Sequence, residues 1–465
     1  MSISLKKRRV HFIGIGGIGM SGIAELLLNL GHSVSGSDLS ETDVVTRLRG
    51  LGAQVQIGHS SKIVEEFNPH VVVYSTAVSL KNPELLFAKE NQIPIIRRAE
   101  MLGEIMRLKR GIAIAGSHGK TTTTGLTSLI LKTAGMEPTV VIGGKFSAIG
   151  SNAAWGGGQW IVAEADESDG SFLRLSPEVA VVTNIDREHL DHYKNFEAAV
   201  GAFEDFIDRL PFYGKAILCS DCPNLRRLSQ SINKVRVWYG FEKDKHPDFL
   251  ISILSEGAQS EFELYRKKDD YEKVWMKLKI SVPGRHNILN ATASVLVAHE
   301  LDIPHEAIQK ALLDFQGVNR RFEKKGFWKT HCVIEDYAHH PTEIRATLQA
   351  GKSVYGDLKP LVIFQPHRYS RTRDQWEEFA KCFEWADLVI TLPIYAASEA
   401  KEDWTRDFDG ENFCNNIQGV KARFAGDLAS ALEIVRSHSL AKDAPIFVLG
   451  AGDIPKLIPM ILESP

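Results

Sequence analysis

One unit recurs along the whole sequence: a short β-branched run, a loop rich in glycine or polar residues, then apolar residues returning at i, i+3 and i+4. Neighbouring parallel strands need a crossover connection, and a helix supplies it, so this alternation predicts an α/β fold with mostly parallel sheets. Polar loops that follow strand ends collect on one edge of such a sheet, where ligands bind. The 465 residues give room for about three domains at ~150 residues each. Three blocks are read, with boundaries at 1–106, 107–317 and 318–465.

In the first block, residues 10–15 read as a strand, followed by Gly14, Gly16, Gly17, Gly19 and Gly22. A helix follows, with Met20, Ile23, Ala24, Leu27 and Leu28 on one face and Gly31 suited to its C-terminal cap. A second strand ends at Asp38, and further strands are expected near 54–57, 71–74 and 93–96. The bare loop can approach a pyrophosphate closely, the helix N-terminus favours its charge, and Asp38 is placed for a ribose hydroxyl. This pattern alone does not separate NAD from a nucleotide-sugar.

In the second block, a strand at 112–115 runs into Gly116-Ser117-His118-Gly119-Lys120-Thr121 and then a helix to about Ala134. Backbone N–H groups would cradle phosphates, Lys120 would reach the β/γ-phosphates of ATP, and Thr121 would hold Mg²⁺. The longer G-x-x-x-x-G-K-T pattern has glycine where Ile114 stands, so this is a shortened loop. A strand at 160–163 leads to the acidic run 164–169, where one carboxylate beside Thr121 suffices for a cation that keeps several waters. A strand at 179–182 leads to His189 and His192, which flank Asp191. Between about 249 and 282 the period changes to two, as in an antiparallel hairpin, and a helix starts near Asn287.

The third block repeats the scheme. Strands at 332–335, 361–364 and 446–449 lead to His339, His340 and Pro341, to His367, Arg368 and Arg371, and to Gly450-Ala451-Gly452-Asp453. Arginine pairs bind carboxylates and phosphates in bidentate fashion. The fold expected is therefore α/β in three domains. A Rossmann-like N-terminal domain precedes a central P-loop-type ATPase domain with an appended antiparallel hairpin, and a C-terminal Rossmann-like α/β domain follows.

Composition removes other classes. Lys and Arg number 55 against 58 Asp and Glu, a net charge of -3, which argues against nonspecific nucleic-acid binding. No apolar run reaches the ~18 residues of a membrane helix. Lys6, Lys7, Arg8 and Arg9 before an apolar stretch imitate a signal peptide, but His11 and the glycines break that stretch, so a cytoplasmic protein is expected. Five cysteines are too few for a disulfide scaffold, and Cys219 and Cys222, a single C-x-x-C, read as ordinary thiols.

Several segments, taken in order, resemble the Mur ligase family. Residues 14–22 (GIGGIGMSG) look like a UDP-binding loop of that family, and 115–123 (AGSHGKTTT) like its ATP loop, with Ser117 where Thr is more usual. Residues 164–169 (EADESD) and the His189 stretch resemble its magnesium elements, with Glu188 in place of the usual Asp. Residues 284–290 (GRHNILN) resemble its adenine-contacting segment, and 336–343 and 366–372 its amino-acid-domain motifs.

The resemblance implies ATP-dependent ligation of L-alanine to the lactyl carboxylate of UDP-N-acetylmuramate through an acyl phosphate, in peptidoglycan precursor synthesis. ATP and Mg²⁺ are the implied cofactors, and a monomer or homodimer without nucleic-acid or membrane partners is implied. It makes Lys120, Glu164, His189, His339 and Arg371 catalytic, with Thr121, Glu164 and His189 holding metal. ATP would be bound by Gly116, Ser117, His118, Gly119, Lys120, Thr121, Thr122, Asn287, Asn290, Arg320 and Asp336. The substrates would be bound by Gly16, Gly17, Ile18, Gly19, Met20, Asp38, His59, Ser75, Thr76, His367, Arg368 and Arg371. Arg321 is an alternative to Arg320 for reaching the γ-phosphate. A recycling ligase that attaches a preformed murein peptide is the nearest alternative, although its first loop usually departs from the pattern at 14–22. A catalytically silent regulator would not need Lys120, Thr121, Glu164 and His189, and a dehydrogenase leaves the ATP loop unexplained.

Overall fold

The computed structural model describes residues 6–75, 78–146, 151–397, 399 and 409–464. Two compact units are formed, one by residues 1–249 with 292–311, the other by residues 250–291 with 312–465.

The first unit opens with a parallel sheet of β1 (Arg9–Ile13), β2 (Ser33–Asp38), β3 (Gln54–Ile57), β4 (Val71–Tyr74) and β5 (Ile95–Arg97), in the order β3-β2-β1-β4-β5. Its central strand buries Val10, Phe12 and Ile13, and each such side chain contributes about 1.5–3 kcal/mol by leaving water. β1 stops at Ile13, short of the 10–15 expected, because Gly14 turns the chain at φ +76° and both Gly14 and Ile15 donate their N–H groups to the Ser37 carbonyl. The helix Ile18–Asn29 follows, and Gly31 at φ +80° closes it.

The same unit holds β6 (Arg110–Ala115), β7 (Thr139–Phe146), β8 (Ser151–Ala154), β9 (Trp160–Glu164), β10 (Val179–Val182), β11 (Lys215–Cys219) and β12 (Val235–Gly240), in the order β12-β11-β10-β6-β9-β7-β8. All pair in parallel except the β7–β8 hairpin. Residues 112–115 are fully buried, which explains an apolar run without alternation. The phosphate strand β6 lies between β9 and β10, so the three polar loops that follow these strands are neighbours. Helix Ile18–Asn29 packs on β8, where Asn152 donates to the Ser21 hydroxyl at 3.4 Å.

In the second unit, β13 (Phe249–Ser255), β14 (Ser260–Arg266) and β15 (Val274–Ile280) account for the period of two. β14 and β15 pair antiparallel, with Phe262 opposite Leu278 and Leu264 opposite Met276, around a turn at Lys267–Asp269. A sheet of β16 (Glu323–Trp328), β17 (His331–Asp336), β18 (Leu361–Phe364), β19 (Leu388–Thr391), β20 (Lys421–Phe424) and β21 (Ile446–Leu449) follows, in the order β16-β17-β21-β18-β19-β20. Only β16 runs antiparallel to its neighbour. Val333, Ile363 and Val448 face one core while Ile334, Phe364 and Leu449 face the other, so both surfaces of this sheet are covered. Pro341 opens the helix Pro341–Tyr355, as its fixed φ favours. Among the described residues no helix is long and apolar enough to cross a membrane, and all five cysteines are buried thiols.

Candidate functional site

The loop after β6 is held from below by the loop after β10. Ser117 N–H donates to the Asn184 carbonyl at 3.0 Å and His118 N–H to Asn184 Oδ1 at 2.8 Å. Thr183 Oγ1 donates to the His118 carbonyl at 2.6 Å, and Asp186 N–H to Ser117 Oγ at 2.8 Å. Gly116 sits at φ +127°, and a Cβ there would run into Thr183 Oγ1, so only glycine fits this close approach. Gly119, at φ +83°, caps the helix Lys120–Thr133, whose first turn carries Thr121 and the buried Thr122. A helix start behind a glycine-rich loop is a ready anion site.

Lys120 donates to the Gly116 carbonyl at 2.7 Å, the Ser117 carbonyl at 3.2 Å and Glu167 Oε1 at 2.8 Å. Thr121 Oγ1 donates to Glu164 Oε1 at 3.1 Å, and Gly143 N–H to Glu164 Oε2 at 2.8 Å. Burial works against the Lys120 charge, but the carboxylates of Glu167, Asp166 and Glu164 outweigh it and hold the ammonium more firmly than in water. The carboxylates are not equally satisfied. Burial pushes Glu167 up to about 7, against the pull of Lys120, and burial also raises Glu164. Asp166 is lowered despite its burial, because Lys120 and Arg98 lie beside it. Such a surplus of buried negative charge fits a site that receives cations.

Two carboxylate sets suit a divalent cation. Thr121 stands against Glu164, and one ligand atom each from Glu167, Glu188 and His189 lie within 4.8 Å of one another. Glu167 Oε2 is buried with no hydrogen-bond partner, as expected of a carboxylate oxygen reserved for a metal. The sequence named Thr121, Glu164 and His189 as metal ligands. The structure groups the first two and associates His189 with Glu167, from the acidic run 164–169, and with Glu188, its own neighbour in the His189 stretch.

In the N-terminal sheet, Asp38 accepts Gly16 N–H at 2.8 Å on one oxygen and Leu39 N–H at 2.8 Å on the other, so its carboxylate shapes the glycine loop itself. Gly19 lies under the Arg98 guanidinium, whose side chain would collide with any Cβ there, and Arg98 also reaches Asp166 at 3.4 Å. Gly17 is the N-cap of the helix that Ile18 begins, and Met20 is buried beneath it. His59 follows β3, and Ser75 follows β4. Thr76 lies outside the described residues. Arg98 carries no motif signal beyond its charge, and sequence reasoning missed it.

The third group is in the second unit. His339 and His367 rings stand 6.0 Å apart, His367 stacks on Tyr395 at 5.6 Å, and Arg371 Nη1 donates to His367 Nδ1 at 3.2 Å. Burial, with Arg371 and Arg368 alongside, lowers His367 to about 4, so it is neutral near pH 7 and accepts from Arg371. Arg368, at φ +70°, donates to Glu399 at 3.1 Å, and Glu399 also holds Ser370. Neither Glu399 nor Tyr395 was singled out from the sequence. Arg320 pairs with Glu335 at 2.7 Å and lies over the Tyr337 ring at 4.8 Å. Both oxygens of Asp336 accept backbone N–H groups, from Phe322 and Ala338, each at 2.8 Å. Asn290 donates to Asn287 Oδ1 at 3.3 Å, and Asn287 to the Pro283 carbonyl at 2.7 Å.

The neighbouring His286 gives a pH prediction. Burial, then Arg321, lowers it to about 4, whereas the unfolded chain titrates near 6.5. The unfolded chain therefore takes up a proton that the folded one refuses, and stability falls as pH drops from about 6.5 to about 4. Burial raises Asp336 to about 6, which acts with the opposite sign over the same window, so the wild-type profile is a sum. His286→Gln removes only the first contribution. Its unfolding midpoint is expected to lose less than the wild type's between pH 7 and pH 5, as thermal melts across that range would read.

Parallel sheets with a phosphate loop, a glycine loop before a helix, and a third loop cluster carrying cations define a nucleotide-dependent α/β enzyme of the phosphate-loop class. The pattern described as Mur ligase family, catalytic domain, matches residues 9–110; that of the Mur ligase middle domain matches 114–298; and that of the Mur ligase glutamate ligase domain matches 320–452. The chain belongs to the Mur ligase family. It is 50% identical over 454 residues to UDP-N-acetylmuramate–L-alanine ligase of Geobacter sulfurreducens, covering 97% of this chain and 96% of that one. The enzyme of the same name from Desulfatibacillum aliphaticivorans is 46% identical over 462 residues, 99% of each. Among solved structures, UDP-N-acetylmuramate-alanine ligase of Thermotoga maritima superposes with a TM-score of 0.79 at 29% identity over 98% of each chain. A murein peptide ligase of Psychrobacter arcticus shares the fold, with a TM-score of 0.69 at 21% identity over 98% of each chain.

Proposed function

We propose that this protein joins L-alanine to the lactyl carboxylate of UDP-N-acetylmuramate at the expense of ATP, in the cytoplasm, as a step of peptidoglycan precursor synthesis. The observation that carries this reading is Lys120, held by the loop carbonyls and Glu167, beside a Thr121–Glu164 pair at a helix start. Full-length relatives at 46–50% identity bear the name of this activity. The three working segments are 1–106 for the sugar nucleotide, 107–317 for ATP and 318–465 for the amino acid, close to the three matched family patterns.

A carboxylate is a poor electrophile, since its leaving group would be oxide. Phosphorylation supplies a leaving group: a lactyl carboxylate oxygen attacks the γ-phosphorus and ADP departs. The alanine amine then adds to the acyl carbon, loses a proton, and phosphate leaves with the attacking oxygen. Such chemistry rests on positioning and charge stabilisation. Lys120 exchanges Glu167 for phosphate oxygens, while the loop N–H groups and the helix start bear on the same charge. Thr121 with Glu164, and Glu167 and Glu188 with His189, are the residues that would hold Mg²⁺, which when bound spreads charge on the transferring phosphoryl group. Arg371, fixed by His367, orients the alanine carboxylate, with Arg368 and His339 at the same loops.

The path of oxygen tests this directly. Sugar nucleotide labelled with ¹⁸O in the lactyl carboxylate is expected to pass one label to inorganic phosphate, and phosphate free of label would rule out the acyl phosphate. Arg371→Ala is expected to raise the apparent KM for alanine by about tenfold to a hundredfold, the loss of one charged hydrogen-bonding partner, with ATP little affected. An unchanged alanine KM in steady-state assays would remove Arg371 from the amino-acid site.

A further inference from the structure

Behind His59, the substrate-binding expectation of the N-terminal domain, lies a polar cluster built on β1, β2 and the helix Pro83–Glu90 that the mechanism above does not use. Glu84 and His11 are completely buried, and Ser35 and Ser37 with them. Glu84 Oε2 accepts from His11 Nε2 at 2.7 Å and from Ser37 Oγ at 2.9 Å. Its Oε1 accepts from His59 Nδ1 and from Ser60 N–H, both at 3.1 Å. His11 Nδ1 is engaged by Ser35 Oγ at 2.8 Å, and Ser37 Oγ also lies 2.9 Å from His59 Nδ1. Asn82 caps the helix Pro83–Glu90 and accepts Glu84 N–H at 2.9 Å, so the carboxylate sits in the first turn, where the helix favours negative charge. Burial opposes its ionisation, but His11, Ser37 and His59 together lower it below the ordinary glutamate range.

An ionised carboxylate only accepts. Each group on Glu84 must therefore donate, and Ser37, having given its hydrogen to Glu84, can only accept from His59. Both contacts require the proton on His59 Nδ1, and in the neutral ring that leaves Nε2 as an acceptor. Four members of the cluster are wholly buried, whereas the His59 side chain is 22% exposed, in the loop at the carboxyl end of β3. A buried charge with this many donors is costly to assemble unless what it fixes matters.

We propose that Glu84 is a positioning residue of the N-terminal site, locking His59 as the Nδ1–H tautomer so that Nε2 accepts a hydrogen bond from an N–H or hydroxyl donor on the nucleotide part of the sugar nucleotide. This rests on the function proposed above. In Glu84→Gln, the new amide can donate to His59 Nδ1, which releases the ring to the opposite tautomer, where Nε2 donates and meets the ligand donor head-on.

The test is a double-mutant cycle in the full-length protein at pH 8.5. Glu84→Gln and His59→Ala are each expected to raise the KM for UDP-N-acetylmuramate by about tenfold, one hydrogen bond's worth, with kcat and the ATP KM within about twofold. The double variant is expected to be no worse than His59→Ala, because Glu84 acts through His59. An unchanged KM in Glu84→Gln, or effects that multiply, would overturn the proposal. Should Glu84→Gln fail to fold, ¹⁵N-histidine spectra of the wild type decide: the resonance absent from His59→Ala is expected to report Nδ1–H, and an Nε2–H signature would overturn the proposal. Failure of the wild type itself to turn over this sugar nucleotide would count against the proposed function instead, and the tautomer would still be readable.

Discussion

Lys120→Ala is expected to lower ligation by about a thousandfold or more, while UDP-N-acetylmuramate binding stays within about twofold. The ammonium is the centre of the loop: it spans the Gly116 and Ser117 carbonyls and Glu167. Without it, a phosphate oxygen loses its fixed counter-charge, and Glu167, Asp166 and Glu164 are left facing one another in a buried place. The glycine loop proposed for the sugar nucleotide belongs to another sheet and keeps its own contacts, such as Asp38 to Gly16. Single-turnover phosphate release with parallel binding calorimetry separates the two quantities. Turnover near the wild-type rate would remove Lys120 from the phosphate loop's work.

Glu164→Gln is the second large effect. The two Glu164 oxygens accept from Thr121 and from Gly143 N–H. Glutamine keeps the size but loses the charge, and its NH₂ must turn toward one of those two donors. A cation held by Thr121 and this position would lose its only charged protein ligand in the pair. A fall in kcat of about a hundredfold is expected, partly restored by raising Mg²⁺, as removal of one electrostatic partner of a transferring phosphoryl group implies. Magnesium titrations of the variant check this. Glu167→Gln makes a useful contrast, since Glu167 belongs to the His189 set and to Lys120 as well. A Glu164→Gln enzyme with unaltered kcat and magnesium dependence would leave the Thr121 pair without a metal role.

Much of the architecture was legible because it is written in short-range chemistry. Residues 179–182 and 361–364 are buried on both faces of parallel sheets, so their apolar runs end where the strands end. The hairpin at β14 and β15 showed itself by its period of two. The phosphate loop announced itself through Gly116, Gly119 and Lys120, whose backbone and charge requirements few other residues meet.

What was not legible is long-range pairing among polar residues. Nothing near Glu84 in sequence marks it as a partner of His11, 73 residues away. Glu167 was one of several acids, and only the packing of β6 beside β9 brings it to Lys120. Arg98 and Glu399 were ordinary charges until the fold placed one over Gly19 and the other on Arg368. The residues expected to hold a metal are grouped differently for the same reason: the sequence singles out His189, but the strand-end loop that brings Glu167 to it is chosen by the fold.

The most direct test is phosphate release from ATP with UDP-N-acetylmuramate and Mg²⁺, comparing L-alanine with the other amino acids and with a murein tripeptide. Release that requires both the sugar nucleotide and L-alanine is expected. Release supported only by the tripeptide, or by no acceptor at all, would contradict the assignment of this chain as an alanine-adding ligase.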